Sequence, residues 1–115
     1  MHELYVTEQL VQIAVDAAKR DKMDRIDKIN VVIGDLTGII DDSVLFYFDI
    51  LVKETLAAGA QLQIRRVPAT WLCSLCDREY NQATSGLNCP ICGRMGEYSG
   101  KGREFYVESI ECEER

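Results

Sequence analysis

Four of the five cysteines in this 115-residue sequence fall into two pairs, Cys73-Ser-Leu-Cys76 and Cys89-Pro-Ile-Cys92, with twelve residues between them. A two-residue gap lets one tight turn present both sulfurs to a single ion. The twelve-residue loop lets two such turns face each other and close a tetrahedron of thiolates. Gly93 follows the second pair, where a backbone bending around sulfur often needs positive φ. Pro90 stiffens that turn. Four sulfurs leave no open position for water, so the spacing predicts a structural Zn2+ rather than a catalytic one. Iron on the same four cysteines, in a rubredoxin-like electron carrier, is the alternative. Cys89-Pro-Ile-Cys92-Gly93 suits that knuckle, but Asp77 rather than glycine follows Cys76, and most of the chain would then have no role. A zinc-ribbon interaction module is a third reading. Cys112 is left over and is expected to be a structural or incidental thiol.

The single histidine is His2. A terminal histidine is ordinarily a frayed, solvated residue. Chelate geometry offers more. A large residue at position 2 usually protects the initiator methionine, so Met1 is expected to stay and to offer its α-amine. That amine, the His2 amide nitrogen and the His2 imidazole can wrap one ion in fused small rings, and the Glu3 amide nitrogen can complete four nitrogens. Such a donor set suits Ni2+ or Cu2+ and fits Zn2+ poorly. The amine and imidazole ordinarily titrate near roughly 8 and 6.5, so protons compete with the metal as pH falls. An exposed, acid-labile site suits a protein that hands metal on.

These groups need elements to position them. Residues 4–20 predict an amphipathic helix, with Val6, Leu10, Ile13, Ala14 and Ala17 on one stripe and Thr7, Glu8, Gln12, Asp16 and Lys19 opposite. Residues 26–33 switch to period two, with Ile29, Val31 and Ile33 alternating with Lys28, Asn30 and Val32. Gly34 to Gly38 is a turn; it lacks the spacing and the Lys-Ser/Thr pair of a phosphate loop. Residues 42–58 predict a second helix, with Leu45, Phe48, Val52 and Leu56 inward, capping oxygens from Asp41, Asp42 and Ser43, and Gly59 as its stop. Residues 61–67 are a strand, and strand–helix–strand over 26–67 suggests a right-handed crossover. Pro68 breaks the ladder and marks a boundary. Ser99 to Gly102 predicts a flexible return linker, and Glu104 to Cys112 a last strand.

The expected fold is therefore α+β: a small two-helix, three-stranded sheet domain (residues 1–68 plus 103–115) with an inserted four-cysteine zinc-ribbon-like module (residues 69–102). The module holds few large hydrophobic residues, whereas a structural Zn2+ can contribute on the order of 10–16 kcal/mol of apparent folding free energy. The formal charge is −6, and both halves are acidic. That disfavours nucleic acid, which needs clustered Lys and Arg. No apolar run approaches membrane-spanning length and no secretory signal is evident, so a cytoplasmic protein with reduced thiols is expected. No Ser/His/Asp or Cys/His catalytic set is present, so an enzyme is not expected.

Met1-His2-Glu3 at the N-terminus, the helix–strand–helix–strand order, the inserted C-x2-C-x12-C-x2-C and the short last strand together resemble the hydrogenase nickel-incorporation family, HypA/HybF, over essentially the whole chain. The resemblance implies that Met1, His2 and Glu3 hold Ni2+ as transient cargo and that Cys73, Cys76, Cys89 and Cys92 hold structural Zn2+. It implies a metallochaperone that delivers nickel to the [NiFe]-hydrogenase large-subunit precursor with a maturation GTPase; some members also serve urease and its accessory proteins. It is compatible with a monomer or a weak homodimer. Some relatives have histidines beside the knuckles, and this chain has none there.

Overall fold

The computed structural model of the protein describes residues 3–113. In chain order the elements are α1 (Glu3–Arg20), β1 (Arg25–Gly34), a 3-10 turn (Asp35–Thr37), α2 (Asp41–Leu51), β2 (Gln61–Val67), β3 (Thr70–Cys73), β4 (Arg78–Asn81), α3 (Gln82–Ser85), β5 (Glu97–Tyr98) and β6 (Phe105–Glu113). The class is α+β. Two three-stranded sheets form, ordered β2-β1-β6 and β4-β3-β5. The chain divides into two compact units: Met1–Val32, Gly38–Arg65 and Phe105–Arg115, and Ile33–Thr37 with Arg66–Glu104. Among the described residues no helix is long and apolar enough to cross a membrane.

In the first unit α1 packs on α2 and β6. The buried stripe of α1 is Thr7, Leu10, Val11, Ala14, Val15 and Ala18. It is rotated from the predicted stripe: Ile13 is 54% exposed, and Thr7, expected on the polar side, is buried completely. Apolar residues lie on both candidate stripes, which share Leu10 and Ala14, and packing selects the one that continues through Val11, Val15 and Ala18. The Thr7 hydroxyl is accommodated because it donates to the Glu3 carbonyl one turn earlier. β1 alternates as expected at first and then buries both faces from Val31 onward.

The second helix is shorter than predicted. It ends at Leu51, with Val52 as C-cap. Glu54 takes positive φ (66°), so the right-handed helix cannot continue through it. The following turns are held by the Thr55 hydroxyl, which donates to the Val52 carbonyl at 2.6 Å and accepts from the Ala57 N–H at 3.0 Å. Val44, Phe48 and Val52 are buried, whereas Leu45 and Phe46 stay exposed.

The second unit contains a sheet that the sequence pattern did not announce. β3 pairs antiparallel with β4, bringing Trp71 opposite Tyr80 and Cys73 opposite Arg78, and with β5, bringing Trp71 opposite Tyr98. Strands of four, four and two residues are too short to show a period. The predicted flexible linker is pinned here. Ser99 Oγ lies 2.7 Å from the Thr70 hydroxyl, and Lys101 Nζ lies 3.0 Å from the Glu79 carboxylate. The Thr70 hydroxyl and then Lys101 hold the Glu79 carboxyl below its ordinary pKa. Gly34 and Gly102 meet at a close crossing. A Cβ on Gly34 would fall 2.2 Å from the Gly102 carbonyl atoms, so only glycine permits it.

Candidate metal centre

The four paired cysteines converge. Cys73 closes β3, and the turn to β4 carries Cys76. Cys89 and Cys92 stand on a second turn, braced by the Cys89 N–H donating to the Arg94 carbonyl at 2.8 Å and the Gly93 N–H to the Cys89 carbonyl at 2.9 Å. All four Sγ atoms lie within 4.8 Å of one another, and Cys73 Sγ sits 3.6 Å from Cys92 Sγ. A regular tetrahedron with Zn–S near 2.3 Å has S···S edges of about 3.8 Å. Donor type, number and spacing therefore fit zinc, and no fifth or water-bearing position is implied. Among the described residues this is the one His/Cys/Asp/Glu cluster able to hold a metal.

The two knuckles each direct a backbone N–H at their first sulfur, from different offsets: the Cys76 N–H, three residues on, donates to Cys73 Sγ, and the Ile91 N–H, two residues on, donates to Cys89 Sγ, each at 3.4 Å. Gly93 has φ of 76° and Asp77, at the matching position, 53°. Aspartate thus supplies the left-handed residue expected of glycine, which its short polar side chain tolerates. The lack of glycine after Cys76 therefore says nothing against an iron knuckle, and the choice of metal rests on other grounds.

Electrostatics set the four thiols apart. Backbone N–H donation, chiefly from Cys92 and also from Ile91, lowers the Cys89 thiol to about 7 against the opposing effect of burial. Burial first, and then the neighbouring sulfurs of Cys92, Cys89 and Cys73, push Cys76 up to about 12. Cys89 is thus partly ionised at neutral pH before any cation arrives, and Cys76 ionises only as one binds.

The packing around the sulfurs includes a residue that spacing arguments passed over. Tyr80, on β4, is 5% exposed and packs with Cys73 and Cys89, with Trp71 and Cys76 at the edge. Its hydroxyl donates to the Leu87 carbonyl at 2.6 Å and accepts from the Gly96 N–H at 2.9 Å. Trp71 Nε1–H donates to Gln82 Oε1 at 2.9 Å. Cys112 is not part of the cluster. It is half-buried on β6, and burial followed by the charges of Asp21 and Asp27 raises its thiol pKa.

Of the predicted nickel ligands, Met1 and His2 lie outside the described residues. Glu3 opens α1, and its carboxylate accepts from the Ile40 N–H at 3.3 Å, at the start of α2. The N-cap residue of that helix is Ile40, not the predicted Asp41, Asp42 or Ser43, and it has no side-chain cap. A carboxylate there is favoured by the exposed N–H groups and the positive end of the helix dipole. This long-range partner had no local signal in the sequence.

The family described as "Hydrogenase/urease nickel incorporation, metallochaperone, hypA" matches residues 1–112. The chain is similar to the hydrogenase maturation factor HypA of Caldanaerobacter subterraneus subsp. tengcongensis, with 46% identity over 98% of this chain and 100% of that one. It is also similar to the hydrogenase maturation factor HypA of Dehalococcoides mccartyi, with 40% identity over 99% of this chain and 96% of that one. In fold it resembles the solution structure of the Ni metallochaperone HypA from Helicobacter pylori, with a TM-score of 0.66, 21% identity and complete coverage of both chains. With the four-cysteine cluster set in an α+β fold, these likenesses establish that the chain belongs to the HypA family of hydrogenase and urease nickel-incorporation metallochaperones.

Proposed function

We propose that this protein binds Ni2+ at its N-terminal tripeptide and delivers it to the [NiFe]-hydrogenase large-subunit precursor. The observation that supports this best is the family match from residue 1 to residue 112, which takes in both the tripeptide and the cysteines. Residues 1–68 with 103–115 form the nickel-binding domain, and residues 69–102 the zinc-binding module. The Met1 α-amine, the His2 amide and imidazole nitrogens and the Glu3 amide nitrogen are the ligands of the cargo ion. The Glu3 carboxylate, engaged by the Ile40 N–H, orients the tripeptide rather than gripping the ion. Nitrogen donors that protonate near neutrality let protons compete with nickel, which favours release as pH falls.

Cys73, Cys76, Cys89 and Cys92 hold a structural Zn2+. When bound, it supplies a fixed cross-link between the two knuckles, and the sulfurs leave it no open coordination position. The chain carries out no catalysis of its own. It works in the cytoplasm with the hydrogenase maturation GTPase. Hydrogenase is the favoured recipient because the similar curated proteins are named hydrogenase maturation factors; urease accessory proteins are the second. Calorimetry tests the assignment. His2→Ala is expected to abolish specific Ni2+ binding while zinc content and circular dichroism stay unchanged. Unaltered Ni2+ affinity in that variant would overturn it.

A further inference from the structure

We infer that Tyr80 is a positioning residue of the zinc site, whose hydroxyl closes the hairpin carrying Cys89 and Cys92 and so holds the second knuckle ready for metal. This rests on zinc being the metal of the four-cysteine cluster.

The hairpin runs from Leu87 to Gly96. It is joined by an isolated bridge between Asn88 and Met95 and by the bond from the Cys89 N–H to the Arg94 carbonyl. Its own closing bond, from the Gly96 N–H to the Leu87 carbonyl, is long at 3.3 Å. The Tyr80 oxygen enters beside that bond and adds two shorter ones, 2.6 Å to the Leu87 carbonyl and 2.9 Å from the Gly96 N–H. That direct bond lies just beyond the usual range for an N–H···O bond, roughly 2.7–3.2 Å, whereas both tyrosine bonds lie within the usual ranges, so the tyrosine path carries the closure. The phenol arrives from β4, which is paired with β3, the strand that ends in Cys73. One buried side chain thus ties the strand pair of the first knuckle to the base of the second. Gly96 is shaped for it: a Cβ there would lie 2.4 Å from the Tyr80 oxygen and 2.5 Å from the Leu72 carbonyl. Loss of a group hydrogen-bonded directly to a metal ligand commonly costs about 10–100-fold in metal affinity; Tyr80 acts one step further out, through Leu87 and Gly96, and is placed at the lower end of that range.

Tyr80→Phe removes one oxygen and keeps the ring that packs on Cys73 and Cys89. The zinc-loaded full-length variant and wild type are titrated with a chromophoric chelator, and each cysteine's alkylation is followed by mass spectrometry during zinc removal. Zinc affinity is expected to fall about tenfold, and Cys89 and Cys92 to become labelled ahead of Cys73 and Cys76. Cobalt-substituted Tyr80→Phe is expected to keep the tetrathiolate spectrum, showing that the same four ligands are used. Wild-type affinity, or acceleration of all four cysteines equally, would overturn the inference while leaving zinc in place. A wild-type chain that retains no zinc would overturn the zinc reading, and this inference with it.

Discussion

Acidification is expected to strip the cysteine site at least as steeply as two of its thiols, Cys76 and Cys89, dictate. Zinc binds thiolates, so every ligand proton present in the metal-free protein competes with it. Cys76, pushed up to about 12 by burial and then by its sulfur neighbours, is protonated throughout the physiological range. Each unit of acidification therefore costs about tenfold in apparent affinity on its account. Cys89, lowered to about 7 chiefly by the Cys92 backbone N–H, is half ionised at neutrality and adds nearly the same factor for each unit below that. From about pH 7 to about pH 5 these two thiols alone lower zinc affinity by roughly 10³- to 10⁴-fold. The sign is fixed: affinity rises with pH, and the metal-dependent order of the second unit is lost on the acid side. Competition against a chelator of known proton equilibria, at several pH values in that window, measures the slope. A total change of less than about tenfold would refute the reasoning, because it would mean that the thiols do not carry these protons before metal binds.

Two further substitutions probe the frame. Gly34→Ala would place a methyl 2.2 Å from the Gly102 carbonyl and 2.6 Å from the Arg103 nitrogen. The segments must part, lengthening the 2.7 Å bonds from the Gly34 N–H to the Glu104 carbonyl and from the Leu36 N–H to the Gly102 carbonyl. A loss of about 2–4 kcal/mol in urea unfolding is expected, and a loss under about 0.5 kcal/mol would contradict the crossing. Phe48→Ala empties a site that is 1% exposed in the first unit; about 3–5 kcal/mol should be lost, and a near-neutral effect would deny Phe48 its place in the core.

The chemistry was legible because it lies in short, fixed spacings. Two C-x2-C pairs announce a thiolate cluster wherever the fold puts them, and the sulfurs do converge. The strands of the first sheet were legible from period-two alternation, reinforced by β-branched residues in β1, and Pro68 does fall between β2 and β3. What could not be read depends on partners far away in the chain. The rotation of α1 is decided by which stripe its neighbours accept, and Thr7 is admitted by a bond to the Glu3 carbonyl one turn earlier. The end of α2 is fixed by Glu54 adopting positive φ, which no residue preference foretells. Asp77 doing the work of glycine is of the same kind. Tyr80 resembled any aromatic of a small core until its hydroxyl was found between Leu87 and Gly96. Glu3 likewise met the Ile40 N–H only through tertiary structure.

The central claim is that nitrogen at the start of the chain grips the cargo while sulfur shapes a separate module. Titrating Ni2+ into the untagged protein and into the same protein with its α-amine acetylated tests it most directly, with zinc content measured in both. The account predicts that acetylation removes specific nickel binding and leaves one zinc per chain in place. Equal nickel affinity in the two proteins would contradict it.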